Sequence, residues 1–422
     1  FKLTAGLRYT DDSKAGSEEV RVNCFAAAAC FAAPELLPFL GGVYPLVDIT
    51  QFPTVTSQPA AGALPPGVTS RTVFDPASGF ARRTFAADWQ ATTGTLGVQW
   101  EPDADTNVYA RYSRGFKAGG FRVGIDTTLG GSPLTEPEYA DNYEVGMKRN
   151  FFNDTFQVNV AAFRMNYENA QVPISVISTS GGLATAQAIF YNVPEAVSQG
   201  IELETTWQPI DNLQILFNYS YLDTEITESR GAIDPADPAA LDRAARPIQT
   251  QAECAVVVSP GVTRCSPDVF TIGQPGGGFQ RGQDLAGNKL PNAPEHKVAL
   301  NANYTWTLGA GDLVGSLSYV WRDEQYGSIF TRSYWRSPAF DQVDGRITFR
   351  DRDDRFSVIL YGRNLFDEIG YEGGAGAIRK AGFIPAPGPG GVVQVPVLEG
   401  IASVYPLTPP RTFGVELQYR FF

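Results

Sequence analysis

The sequence predicts an all-β protein, an antiparallel transmembrane barrel with short turns at one end and long loops at the other. Three observations carry this. Apolar side chains return at every second position through long runs, the period of a half-buried strand. The runs last about 10–13 residues, where soluble strands have a mode of about 5–6 and a tilted strand through a bilayer needs about 9–11. The connections between runs alternate strictly between tight and long.

Twelve strands follow in order. Residues 1–10 (FKLTAGLRYT) read as a strand already under way, with no signal-peptide pattern. Strands 91–101 and 106–117 flank the turn formers EPDAD, and strands 139–150 and 154–170 flank NFFND. Strands 198–208 and 212–224 flank QPIDN, with Ile201, Leu203 and Trp207 set against Glu202, Glu204 and Thr206. Strands 295–307 and 312–324 flank TLGAGD. In the first of these, Val298, Leu300, Tyr304 and Trp306 are expected to face lipid, and Asn301 and Asn303 the lumen. Strands 338–350 and 355–366 flank RDRDD, and 411–422 is the last. The long connections are 11–90, 118–138, 171–197, 225–294, 325–337 and 367–410. One strand breaks phase: in TFQVNVAAFRMNY the apolar set changes parity at Ala161–Ala162, from a bulge or from the strand leaving the apolar zone.

Composition narrows the function. Of 422 residues 43% are hydrophobic and only 18% charged, below the roughly 25% of soluble domains. No run approaches the ~18–20 apolar residues of a membrane helix. A net charge of −12 argues against a nucleic-acid partner, whose phosphates require a basic surface. The single histidine, His296, sits beside Glu295 at a strand mouth and reads as a rim residue. With one histidine there is no Ser–His–Asp set, and no CxxC spacing marks a metal site. No catalytic, cofactor or metal residue is assigned, and the chain reads as a non-enzyme.

Four cysteines lie in two long connections: Cys24 and Cys30 in one, Cys254 and Cys265 in the other. They read as two local disulfides, Cys24–Cys30 and Cys254–Cys265, against the alternative of four free thiols. The segment CFAAAACFAAPELL is rich in alanine, and an unbroken helix would hold Cys24 and Cys30 about 9 Å apart, too far to bond. A short loop helix is expected at 237–247, where Asp237 caps, Pro238 starts and Pro247 stops it. Tyr326, Tyr334 and Trp335 stand open between ligand contact and the interfacial aromatic belt.

Five segments resemble the barrel of TonB-dependent outer-membrane receptors, in that family's order and rough spacing: ARYSRGFKAGGF at 110–121, EPEYADNYEVGMK at 136–148, GIELETTWQP at 200–209, YGRNLFDEIGY at 361–371 and PPRTFGVELQYRF at 409–421. The end of the chain fits the resemblance, with Phe413, Val415, Leu417, Tyr419 and Phe421 alternating to the terminus. The resemblance implies part of a 22-stranded barrel in the Gram-negative outer membrane, with 1–422 all barrel and the N-terminal plug and early strands absent from this sequence. It implies energy-dependent uptake of a scarce bulky solute, a ferric siderophore foremost, with cobalamin, oligosaccharide and a passive porin-like channel as alternatives. The implied partners are outer-membrane lipid and a TonB-type coupling protein, engaged through the missing N-terminal part. Ligand contacts in such receptors come from the plug apex and loop tips, so the ligand-binding residues are unknown.

Overall fold

The computed structural model describes residues 1–21, 23–24, 47–48, 50–51, 67–121, 134–178, 185–229, 257–259, 262–263, 285–331, 335–371, 376–388, 391–404 and 406–421. Thirteen strands make one antiparallel sheet. They are β1 (Lys2–Val20), β2 (Thr69–Asp75), β3 (Phe80–Asp103), β4 (Thr106–Lys117), β5 (Glu138–Phe151), β6 (Phe156–Ser178) and β7 (Thr185–Ile210). The rest are β8 (Leu213–Glu228), β9 (His296–Leu308), β10 (Gly311–Arg322), β11 (Phe340–Asp351), β12 (Phe356–Arg363) and β13 (Thr412–Tyr419). Twelve of them pair in sequence order, β1 to β3 and on to β13, while β2 takes the edge of β3 beyond the end of β4. All twelve expected strands are present.

Several run further than their alternation suggested. β1 continues to Val20, each residue paired with β3, although DDSKAGSEE carries no apolar stripe. Most of the expected loop 171–197 is the paired ends of β6 and β7, which part only at 178–185. Beyond the bilayer a strand keeps its ladder but no longer needs an apolar face, so the period-two signal fades before the hydrogen bonds do. The expected connection 367–410 contains a two-stranded ribbon, Gly376–Gly388 against Gly391–Val404.

The five tight turns share one rim. Consecutive hairpins are tied there by backbone bonds: Asn150 N to Asp105 O (3.0 Å), Gln208 N to Thr155 O (2.7 Å) and Thr305 N to Asn212 O (2.9 Å). Arg352 N to Ala310 O (3.2 Å) and Arg420 N to Arg355 O (2.8 Å) complete the series. The NFFND turn holds Phe152, Asn153 and Asp154 at φ of 56°, 56° and 67°, a left-handed run that suits Asn and Asp but strains Phe.

The parity change in β6 involves no bulge, because its register with β5 and β7 is unbroken from Phe156 to Glu168. The strand simply leaves the apolar zone.

The sheet does not close. β1 bonds only β3 and β13 bonds only β12, so a 22-strand count is not reached among the described residues.

Candidate functional site

Register sorts the side chains into two faces, since paired residues share a face and neighbours along a strand alternate. Val298, Leu300, Tyr304 and Trp306 fall on one face with Leu317, Ile347, Leu360 and Val415. The same face runs on through Ile201, Ala162, Val145, Ala110, Val98 and Leu3. Asn301 and Asn303 fall on the opposite face with Ser316, Ser318, Asp344, Arg346, Tyr361 and Glu416. The apolar face is the lipid side and the polar face the lumen, as expected.

Aromatic rings bound the apolar band at both heights. Toward the turns stand Tyr304 with Trp306, ring centroids 4.6 Å apart, and Phe156 with Trp207 at 6.4 Å. Toward the mouth, His296 packs on Tyr221 at 5.3 Å, and its Nδ1 is hydrogen-bonded to Tyr219 Oη at 2.9 Å. His296 is therefore a rim residue among tyrosines. From His296 to Trp306 the strand rises about 33 Å, or about 25 Å of membrane height at a tilt near 40°.

The polar inner wall is the candidate site. On β4 and β5, Tyr109 Oη donates to Glu144 Oε1 at 2.9 Å and Arg111 Nη2 donates to Glu144 Oε2 at 2.8 Å. Lys2 Nζ meets Glu101 Oε1 at 2.6 Å. On β9 and β10 an amide–hydroxyl ladder runs from Ser316 Oγ to Asn303 (2.6 Å), Asn303 to Asn301 (2.6 Å) and Asn301 to Ser318 Oγ (2.7 Å). Beside it lies an inner-wall recess of about 390 Å³, lined by Asp344, Arg346, Tyr361, Arg363 and Glu416. These groups line the inner wall with charges of both signs and with hydrogen-bond donors and acceptors.

At the mouth, packing takes over. Val193, Ile226, Leu285, Ile329, Phe330 and Trp335 make a buried cluster where the extended ends of β7 and β8 meet the connection segments. Trp335 thus belongs to the packing under the loops, and Tyr326 pairs with Arg336 in a short ribbon. Lys289 binds Asp223 at 3.2 Å and Glu295 at 3.3 Å. Burial opposes its charge, but those two carboxylates outweigh burial and raise its pKa. Asp48 is held down to about 2 by the Thr50 hydroxyl (2.5 Å), the Thr50 amide (3.0 Å) and Arg21 (2.8 Å).

The cysteine pairing cannot be placed on this frame. Cys30, Cys254 and Cys265, the side chain of Cys24, Tyr334 and the helix expected at 237–247 all lie outside the described residues. The inner-wall contacts had no separate signal in the sequence, because they depend on which polar residues the register sets side by side.

The family model described as TonB dependent receptor-like, beta-barrel matches residues 1–365. A probable TonB-dependent siderophore receptor, PiuA of Acinetobacter baumannii, is 25% identical over 141 residues, 32% of this chain and 18% of that protein. The ferric-pyoverdine 358 receptor of Pseudomonas putida is 28% identical over 139 residues, 33% of this chain and 16% of that protein. In structure, the ferric yersiniabactin uptake receptor FyuA from Yersinia pestis superposes with a TM-score of 0.54 at 15% identity, over 84% of this chain and 41% of that one. At that identity the likeness is one of fold. The chain spans less than a fifth of the two sequence relatives and less than half of the structural one.

Proposed function

Since this chain belongs to the TonB-dependent receptor β-barrel family, a family of Gram-negative outer-membrane proteins, we propose that it is the barrel wall of a receptor that imports a ferric siderophore. The observation that carries this is the family match over 1–365, joined to a sheet with an apolar outer face, a polar inner face and long mouth segments. The sequence relatives are named as receptors for siderophore or ferric-pyoverdine, which favours iron chelates over cobalamin or oligosaccharide. The reading is transport without catalysis. Import draws on a TonB-type coupling protein, as family members do, engaged through a part of the receptor outside this sequence.

The domain reading follows from the edges. Unpaired backbone groups in lipid cost several kcal/mol each, so β1 and β13 are proposed to meet further strands of the same receptor, with a plug occluding the lumen. Side chains at these edges lack neighbours: Leu7 is 85% exposed and Val415 66%, against 39% for Leu300 on interior β9. Cysteines placed at Thr4 and Gln418 would test this, because spontaneous cross-linking in the membrane would mean that β1 and β13 close on each other.

The function is tested by uptake of iron-labelled siderophores into cells carrying the full-length receptor. Accumulation that needs both the receptor and the coupling protein supports import. Accumulation unchanged when the coupling protein is deleted would point to the passive channel instead.

A further inference from the structure

We propose that the outward face of β3–β6 holds an anionic lipid of the outer leaflet, its acyl chain in a groove over Ala110 and Ala162 and its phosphate on Arg164. The proposal rests on the membrane location and stands apart from the identity of the imported solute.

The groove follows from register. Val98, Ala110, Val145 and Ala162 are paired across four strands on the lipid face. Ala110 lies low between Val98 and Val145, Ala162 lies low between Val145 and Ile201, and the shallow groove that Ala110 and Ala162 line together measures about 640 Å³. Leu96 and Leu3 add to its apolar lining, and Arg164 stands at its edge.

The next outward row toward the mouth is Leu96, Tyr112, Tyr143 and Arg164. One outward step along β6, about 7 Å, therefore takes the surface from Ala162 to Arg164. This is the phase change in AAFRMNY: the lipid side goes from apolar to cationic where the band ends. An acyl chain lying over Ala162 brings its own polar end to the same height.

Arg164 differs from the other cations of this belt. Arg114 is bound to Asp141 at 2.5 Å, and Lys289 to Asp223 and Glu295. Arg164 donates to two neutral groups, Gln199 Oε1 at 2.7 Å and Asn166 Oδ1 at 3.2 Å, and forms no ion pair among the described residues. A guanidinium at the edge of hydrocarbon is costly without a counter-charge, and the anion a membrane offers at that level is a lipid phosphate. Arginine binds phosphate through paired N–H donors. The groove is continuous with the lipid-facing surface, which selects a lipid as occupant over a second protein.

The test reconstitutes the full-length protein with equal amounts of dimyristoyl phosphatidylglycerol and dimyristoylglycerol, then weighs it intact by native mass spectrometry from mild detergent. Wild type is expected to retain the phosphatidylglycerol in preference. R164Q should lower that retention about five-fold, and R164K, which keeps the charge but loses the paired donors, should fall between R164Q and wild type. K289Q, whose charge is already matched, should leave it unchanged. A162W should lose the lipid by filling the groove, with A110F as the equivalent block from β4 should A162W not fold. Equal retention of both lipids by wild type, or R164Q retaining as much as wild type, overturns the proposal. Sensitivity to R164Q with indifference to both blocking variants would place a headgroup on Arg164 without a chain in the groove, and would also overturn it.

Discussion

Tyr109 lays its ring against Gly146 across the β4–β5 pair, so closely that a β-carbon at Gly146 would meet ring Cε1, Cζ and Oη at 2.6 Å. The glycine lets the ring lie along the inner wall, where its hydroxyl reaches Glu144. Gly146→Ala is expected to force the ring off the wall and to destabilise the barrel by about 1–3 kcal/mol. Tyr109→Phe keeps the packing, loses one hydrogen bond and should cost about 1 kcal/mol. Denaturant unfolding in detergent, followed by tryptophan fluorescence, ranks the two. A Gly146→Ala variant as stable as wild type would refute the packing argument.

Asn364 is 2% exposed and sits at φ of 52°, just after β12 ends. Its side chain donates to Glu368 O at 2.8 Å and Pro409 O at 3.3 Å, and accepts from Glu368 N at 2.9 Å. It thereby fixes the start of the last connection to the start of β13. Asn364→Ala leaves those buried partners unmet and should cost about 2–4 kcal/mol, whereas Asn364→Gly recovers the part due to the backbone angle. Trypsin cleavage at Arg411 in the folded protein should rise markedly in Asn364→Ala. Unchanged cleavage would show that the network holds nothing in place.

Asp48 makes a pH prediction. Its folded value of about 2 lies below the ordinary 3.8, so the carboxylate stabilises the contact with Thr50 and Arg21 above pH 3.8. That contribution is lost as pH falls through about 2. Amide exchange of Thr50 should therefore be insensitive to pH-linked opening near neutrality and accelerate in acid relative to a peptide reference. Asp48→Asn should abolish this acid step. An equally steep step in the variant would assign it elsewhere.

The cysteines are proposed to pair as Cys24–Cys30 and Cys254–Cys265. Each closes a short loop, so each should stabilise its own segment by about 2–3 kcal/mol and leave the sheet unaffected. Peptide mapping without reductant is expected to give two local disulfide peptides. Free thiols, or a peptide joining the two loops, would be incompatible with this pairing.

The membrane-crossing part of the fold was legible because lipid on one side and water on the other force alternation, as in Val298 to Trp306. Where β1 runs on through Asp11, Asp12 and Ser13, water touches both faces and the signal disappears, although the ladder to β3 persists. The phase change at Ala161–Ala162 was visible, but choosing between a bulge and an exit from the membrane needed the register of β6. YGRNLFDEIGY stood out as a family segment, yet the role of Asn364 depends on Pro409, which is remote in sequence and adjacent in space. The inner-wall contacts were invisible for the same reason, since Ser316 meets Asn303 only once β9 and β10 are aligned.

The backbone bonds between neighbouring hairpins at the turn end act as a hoop. Each turn is held by the next hairpin, from Asp105 to Arg420, so the girth of this arc is set on the side facing the cell interior. At the opposite end the ends of β7 and β8 pack with Leu285, Ile329, Phe330 and Trp335 of the connection segments in one buried cluster. The turn end can therefore change its curvature only by breaking backbone bonds, whereas the mouth end, held by side-chain packing, can shift by repacking.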